Sequence, residues 1–423
     1  MTALERRSVT SLALLYNFRM LGLFMVLPLL ALYAADFEGA TPALIGIALG
    51  VYGLSQALLQ IPFGWLSDRV GRKPVIIAGL LIFAAGSVLA AVADSIYGII
   101  AGRVLQGAGA IASSIMALVA DLTREEQRTK AMAVVGASIG LAFALALVLG
   151  PVVAGFGGLE AVFGLTALLA LAGIAIVVWQ VPAPDRSGAR YAEVGTRSNL
   201  VGRSLRNVTL LRLDAGVFTL HFILMAIFQF VPGMLQDSLG IAREDHWQVY
   251  LPVVLLSVLG MLPMMRLAER GGRPHLAFVS SIVLLLVALA TLGLAHQAWL
   301  VYGGLWVFFV GFNYLEAALP SMVSKAVFAD GKGTALGIYS TSQFLGVFAG
   351  GVAGGWVLQR FGVAGLIELC LVLGGCGCCG HCRLPALHCA AAQEHHRADP
   401  APADAHLMFL CRQCWCNCGV GLL

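Results

Sequence analysis

The chain places Gly64-Trp65-Leu66-Ser67-Asp68-Arg69-Val70-Gly71-Arg72-Lys73-Pro74 between two apolar stretches, with four charges inside this short run. A soluble core would rarely strand such a cluster between apolar runs of about 20 residues. Two consecutive membrane helices joined by a tight turn require it. Of 423 residues, 59% are hydrophobic and 11% charged, and mean hydropathy is +0.89; soluble domains carry about 25% charge. The expected fold class is therefore an all-α polytopic membrane protein. The 50 glycines lie inside apolar runs, where they suit close helix approach in lipid rather than flexible linkers.

About twelve spans can be marked from the ~20 residues a bilayer needs: 11–35, 43–66, 74–93, 96–120, 130–153, 159–181, 210–236, 247–268, 274–296, 299–324, 333–357 and 361 to about 380. The first is too long for a signal-peptide core and lacks a small-residue cleavage site, so it reads as a spanning helix. With a cytoplasmic N-terminus, one face collects Arg6, Arg7, Arg69, Arg72, Lys73, Arg124, Arg128, Lys130, the linker arginines, Arg266, Arg270, Arg273, Lys325 and Lys332. The opposite face keeps only Arg243 and Arg360. The positive-inside rule then places the N-terminus and the central linker in the cytoplasm. Asp36, Glu38, Asp94, Asp237, Glu244 and Asp245 fall on the other side. A net charge of +4 spread over loops gives no nucleic-acid footprint.

The polar segment 182–209 divides the spans six and six. Residues 1–181 and 210–380 are thus expected as two pseudo-symmetric six-helix bundles, followed by a tail at 381–423. Glu269-Arg270-Gly271-Gly272-Arg273-Pro274, after the eighth span, is a worn copy of Asp68 to Pro74 after the second. Parallel repeats of this kind are a transporter architecture with the substrate site near midplane.

At these residues the sequence resembles the major facilitator superfamily, from residue 1 to about 369. Gly64-x-Leu66-Ser67-Asp68-Arg69-x-Gly71-Arg72-Lys73 resembles its signature loop. Leu21-Gly22 followed by Pro28, and Arg103-x-x-Gln106-Gly107-x-Gly109, resemble motifs of its drug/proton antiporter branch. Gly150-Pro151-x-x-Ala154-Gly155 is similar to the antiporter motif, with Ala154 where a second glycine is usual. The resemblance implies twelve helices in the facilitator fold. It also implies a conformational latch on the cytoplasmic side built from Gly64, Asp68, Arg69, Gly71, Arg72 and Asp121, and a link between Arg103 and proton coupling.

Physical chemistry assigns jobs to several of these residues independently. Asp68 can sit against a helix N-terminus, and Arg72 can pair with Asp121; the plainer reading is that these charges only anchor orientation around a turn. Charges inside spans cost about 2.5–3.5 kcal/mol on insertion scales, which singles out Glu316, with Asn313 one turn before it, Arg103 and Arg19. A carboxylate in an apolar span favours its neutral form and so suits proton loading. An arginine does not deprotonate; it tunes an acid, holds an anionic substrate or, for Arg19, snorkels to the surface. His221 is a second proton carrier, since imidazole titrates near neutrality, with helix packing as its alternative. Asp214 reads as interfacial. Tyr16, Asn17, Gln56, Gln60, Gln106, Gln229 and Gln343 are cavity candidates, and Phe24, Phe143, Phe228, Tyr339 and Phe344 can line an apolar pocket.

All ten cysteines lie between Cys370 and Cys418. Cys376-x-Cys378-Cys379-x-x-Cys382 and Cys411-x-x-Cys414-x-Cys416-x-Cys418, with His381, His388, His395 and His396, offer soft ligands for zinc, yet the spacings follow no knuckle or ribbon. A shifted reading frame accounts for this composition and for a twelfth span that dissolves halfway; a natural disordered tail and a metal site are the alternatives. No metal site is expected.

The expected function is secondary active transport: proton-coupled efflux of small hydrophobic or amphipathic molecules by alternating access. The expected setting is the bacterial inner membrane, as a monomer in the lipid bilayer, with the proton gradient as energy source and no cofactor. Symport of a sugar or other small nutrient is the alternative, followed by a non-transporting receptor or scaffold. An enzyme is not expected, because residues 1–369 offer no metal cluster or nucleophile–base pair.

Overall fold

Local capping chemistry sets where the helices begin. In the computed structural model, which describes residues 1–182, 197–295, 297–327 and 332–382, helix α1 (Ala3–Tyr33) opens on a capping box in which Thr2 and Glu5 satisfy each other's backbone N–H groups. Thr41 Oγ1 accepts from Leu44 N at the start of α2 (Pro42–Val70), where Pro42 occupies the first turn. Ser95 does the same for α4 (Ile96–Ala108), and Asn207 for α8 (Val208–Asp237). The remaining elements are α3 (Arg72–Ala91), α5 (Ala112–Asp121), α6 (Glu125–Trp179), α7 (Arg197–Arg206), α9 (Trp247–Glu269), α10 (Pro274–Gly293), α11 (Ala298–Ala326) and α12 (Lys332–Cys382).

Ten helices among the described residues are long and apolar enough to cross a bilayer. Two are too long to be single spans, because at 1.5 Å per residue they would exceed twice the ~30 Å hydrocarbon core. Helix α6, 55 residues, leaves helical geometry at Gly157 and Gly158, and α12, 51 residues, leaves it at Gly362. The first break falls in the gap expected between the fifth and sixth spans, and the second at the second residue of the expected twelfth span, two residues past the expected gap, consistent with twelve spans. The fourth span, expected as one helix over 96–120, is interrupted at residues 109–111. The twelfth, expected to dissolve halfway, stays helical to Cys382. Cys370 is a buried free thiol and Cys376 an exposed one.

The chain divides into two compact units, Met1–Gly374 and Gly375–Leu423. Of the second, residues 375–382 form the last turns of α12; the remainder of the cysteine- and histidine-rich tail lies outside the described residues, as does linker segment 183–196.

Within the first unit, α1 packs along α6, α3 along α4 and α6, and α10 along α11. The loops with most of the basic residues lie at one end, here called the basic end; Asp36, Glu38, Asp94, Glu244 and Asp245 mark the acidic end. There, helices from before and after the linker meet almost backbone to backbone. A Cβ on Gly46 would run into Gly351 O, one on Gly50 would come within 2.7 Å of Phe348 O, and one on Gly351 would meet Gly46 O and the Gly50 backbone. Without side chains the two backbones approach this closely, as small-residue interfaces in membranes do. Arg243 extends the seam with an ion pair to Asp36 at 2.8 Å and a stacking position over Tyr33, and Gln359 Oε1 accepts from Ala43 N.

Candidate functional site

Between α2 and α3 the chain turns on a single residue. Gly71 has φ 113°, a left-handed conformation closed to most side chains, and its N–H donates to Ser67 O. Gly272, in the worn copy, also has positive φ, 61°. The tight turn folds Arg72 back over the end of α2, where it pairs with Asp68, donates from Nη1 to Ser67 Oγ at 2.8 Å, and reaches Asp121 Oδ2 from Nε at 3.1 Å. The expected Arg72–Asp121 contact is therefore present. Ser67 Oγ donates onward to Gly64 O. Arg69 stacks over Trp65 at 3.7 Å, and Lys73 Nζ donates to Val181 O at the end of α6. Three residues beyond Asp121, Arg124 is held by a residue the sequence did not single out: Glu5 accepts from Arg124 Nε at 2.9 Å, Nη2 at 3.3 Å and the backbone N at 3.1 Å.

A second polar network is buried among α1 to α4. Arg19 and Arg103 are each 1% exposed, so Arg19 does not snorkel. Its Nη2 donates to Gln56 Oε1 at 2.7 Å and to Gly109 O at 2.9 Å, and its guanidinium stands over Phe83. Arg103 donates to Ala48 O and to Gln106 Oε1, stacks on Tyr52, and is tied through Gln106 to Ser87. Gln56 links onward to Gln60 and lies near the Tyr52 hydroxyl. These glutamines, placed among the cavity candidates by their sequence positions, are instead hydrogen-bonded inside the helix packing. Carbonyls, amide oxygens and ring faces surround the two guanidiniums, and among the described residues Arg19 Nε and Nη1 and Arg103 Nη2 have no hydrogen-bond partner.

Asn17 likewise packs α1 onto α6, donating to Ser138 O. Tyr16 is buried. Gln229 bonds Gly350 O and lines a small cavity of about 210 Å³ at the acidic end, with Thr41, Pro42 and Leu358. Gly150 lies close to Met25 O, and Gly155 near Glu244. Asp214, expected at an interface, is buried at 8% exposure.

The third cluster joins α8, α11 and α12. Gln343 Nε2 lies 2.8 Å from His221 Nε2 and donates to Glu316 Oε1 at 3.3 Å. His221 Nδ1 lies 3.1 Å from Val217 O. Because that carbonyl only accepts, Nδ1 carries the hydrogen and a neutral Nε2 accepts from the Gln343 amide. Glu316 Oε2 is 3.7 Å from His221 Nε2. A proton arriving on the ring turns Nε2 into a donor, which repels the amide N–H and draws Nε2 to the carboxylate. Asn313 is not part of this cluster; it donates to Ser257 Oγ on α9. Beside it, Phe312 stands against His221, and Phe143 contacts Phe24, Phe228 and Phe309, forming an aromatic bridge from α1 and α6 to α8 and α11.

Comparison with known proteins gives a consistent picture. The profile of the Major Facilitator Superfamily matches residues 12–351. Over 362 residues the chain is 49% identical to the inner membrane transport protein YajR of Escherichia coli (strain K12), covering 85% of this chain and 79% of that one. It is 25% identical over 360 residues to the multidrug resistance protein MdtH of Klebsiella pneumoniae (strain 342), covering 84% and 88%. The crystal structure of a D-xylose-proton symporter superposes with a TM-score of 0.70 at 14% identity, covering 89% and 96% of the two chains, a likeness of fold.

Proposed function

This chain belongs to the major facilitator superfamily of membrane transporters, and we propose that it exports small hydrophobic or amphipathic molecules in exchange for protons by alternating access. The observation that carries the proton coupling is the His221–Gln343–Glu316 cluster. An acid and an imidazole on different helices share one amide, so a single proton changes which of them the amide can serve. Protonation neutralises Glu316 or charges His221, and either event repacks α8, α11 and α12 against one another. The aromatic bridge beside the cluster offers an apolar surface to a substrate.

Arg72, Asp68 and Asp121 serve as the latch at the basic end, where the signature loop can hold or release the helices behind the linker. In this reading the basic end is cytoplasmic and the membrane is the bacterial inner membrane. The protein works as a monomer, without a cofactor, on the proton gradient. The 25% identity to a multidrug resistance protein supports export. Symport of a small nutrient is the second reading.

Proteoliposomes carrying a pH-sensitive dye, challenged with a panel of amphipathic cations and sugars, test the direction. Protons moving opposite to the compound support antiport. Co-directional movement overturns it, and no movement with any compound favours a receptor.

A further inference from the structure

The fourth span is cut at residues 109–111, which makes its last part, α5, a separate ten-residue rod ending on Asp121. The residues flanking that rod, Gly109 before it and Arg124 after it, are both tied to one helix, α1. At the cut, the carbonyl of Gly109, beyond the last turn of α4, is taken by Arg19 Nη2 at 2.9 Å. That carbonyl also accepts from Ile111 N at 2.9 Å, and carbonyls at a helix C-terminus carry partial negative charge that favours a guanidinium. This also gives a buried arginine a counter-dipole where the described residues supply no carboxylate. At the other end, Glu5 binds Arg124 three times, through Nε, Nη2 and the backbone N. Arg124 is the N-cap residue of α6 and has no side-chain cap of its own. The Glu5 carboxylate therefore caps α6 from another helix, at the end where the helix dipole favours an anion. The two ties match in reach. Glu5 and Arg19 lie fourteen residues apart on α1, about 21 Å, and Gly109 and Arg124 lie fifteen apart across α5 and its flanking turns.

We infer that α1 clamps α5 at both ends, through Arg19 and Glu5, and thereby sets the position from which Asp121 pairs with Arg72. Glu5 and Arg19 are positioning residues. Among the described residues, neither bonds to Asp121 or Arg72. Because the clamp comes from α1, a shift of the first span along its axis moves Asp121 relative to the turn at Gly71 without any change in the signature loop. The clamp acts on the latch proposed above and rests on that reading for its consequence in transport.

Hydrogen–deuterium exchange of the full chain in lipid nanodiscs tests the clamp without needing a substrate. Glu5→Gln is expected to speed exchange at least about tenfold in amides 121–127, and to speed amides 70–73 as well, through the loosened Asp121. Arg124→Gln, which leaves the Thr2–Glu5 capping box intact, should do the same where Glu5→Gln disturbs the N-terminus, and Arg19→Gln should speed amides 109–113. In an Asp121→Asn background, adding Glu5→Gln should still speed 121–127 but add nothing at 70–73. Faster exchange at 121–127 with 70–73 unchanged makes Glu5 a local cap and overturns the clamp, as do additive effects at 70–73. An Asp121→Asn chain with unchanged 70–73 shows that the latch pair itself is at fault, and the clamp falls with it.

Discussion

Replacing Gly351 by alanine places a methyl group where α2 and α12 touch. The new Cβ would lie 2.5 Å from Gly46 O and 2.7 Å from the Cα and N of Gly50. Ordinary contact needs 3.4 Å or more, so the helices must separate by roughly 1 Å along a stretch packed at crystal-like density. Overpacking of this kind costs about 1–3 kcal/mol, and it is felt only while the acidic end is closed. The closed form should therefore lose about 5- to 150-fold in population relative to the form open at that end. Spin labels carried on non-canonical residues at Asp94 and Ser238 leave the native cysteines in place, and their separation reads the acidic end directly. Gly351→Ala should shift the distribution to longer distances. Gly140→Ala, where a Cβ meets nothing within 4 Å, should not. An unchanged distribution in Gly351→Ala, with the protein folded, would refute the reasoning that backbone contact closes this end.

Glu316→Gln should abolish proton-driven accumulation while leaving substrate exchange at equal pH, measured in proteoliposomes; retained gradient-driven transport removes Glu316 from the coupling role. Asp121→Asn breaks an ion pair whose side chains keep 18% and 29% of their exposure, so it should cost only about 0.2–1 kcal/mol, read as a shift of less than about fivefold in the balance between conformers by the same spin-label method. Arg103→Leu leaves Gln106 and Ala48 O without their buried donor, and should lower thermal stability in detergent by about 1–3 kcal/mol per unsatisfied group, seen as a clear fall in Tm. Elemental analysis of the purified chain should find zinc well below one atom per molecule; a stoichiometric content would establish the tail as a metal site.

The signature loop was legible because charges stranded between two apolar spans have few places to go, although spans ending at 66 and resuming at 74 gave no sign that the turn is the single residue Gly71. Arg72 is expected to pair with Asp121, and it does, while taking Asp68 as a second partner. The buried arginines were recognisable as anomalies but not as structure, since helical periodicity does not reveal which carbonyl a guanidinium will find; Arg19 depends on a break in another span. Glu5 was not singled out by the sequence, although Thr2-x-x-Glu5 has the capping-box spacing. The glycines of the acidic-end seam, Gly46 and Gly50 facing Gly351 and Gly355, are likewise present in the sequence, but spacing of small residues gives no partner until the fold supplies one. Gln56, Gln60 and Gln106 were polar enough for a cavity and were claimed by buried hydrogen bonds instead.

Gly71 is the whole connection between α2, which ends at Val70, and α3, which starts at Arg72, whereas four residues separate α9 from α10 at the corresponding place after the eighth span. A joint one residue long has no slack, so any tilt of the second span is delivered at once to the third. The longer joint absorbs part of such a tilt before the ninth span feels it. The two joints are thus mechanically unequal. The stiff joint lies beside the Arg72 ion pairs, and in the proposed function the part of the chain with the compliant joint holds the His221–Gln343–Glu316 cluster, whose helices are the ones asked to move.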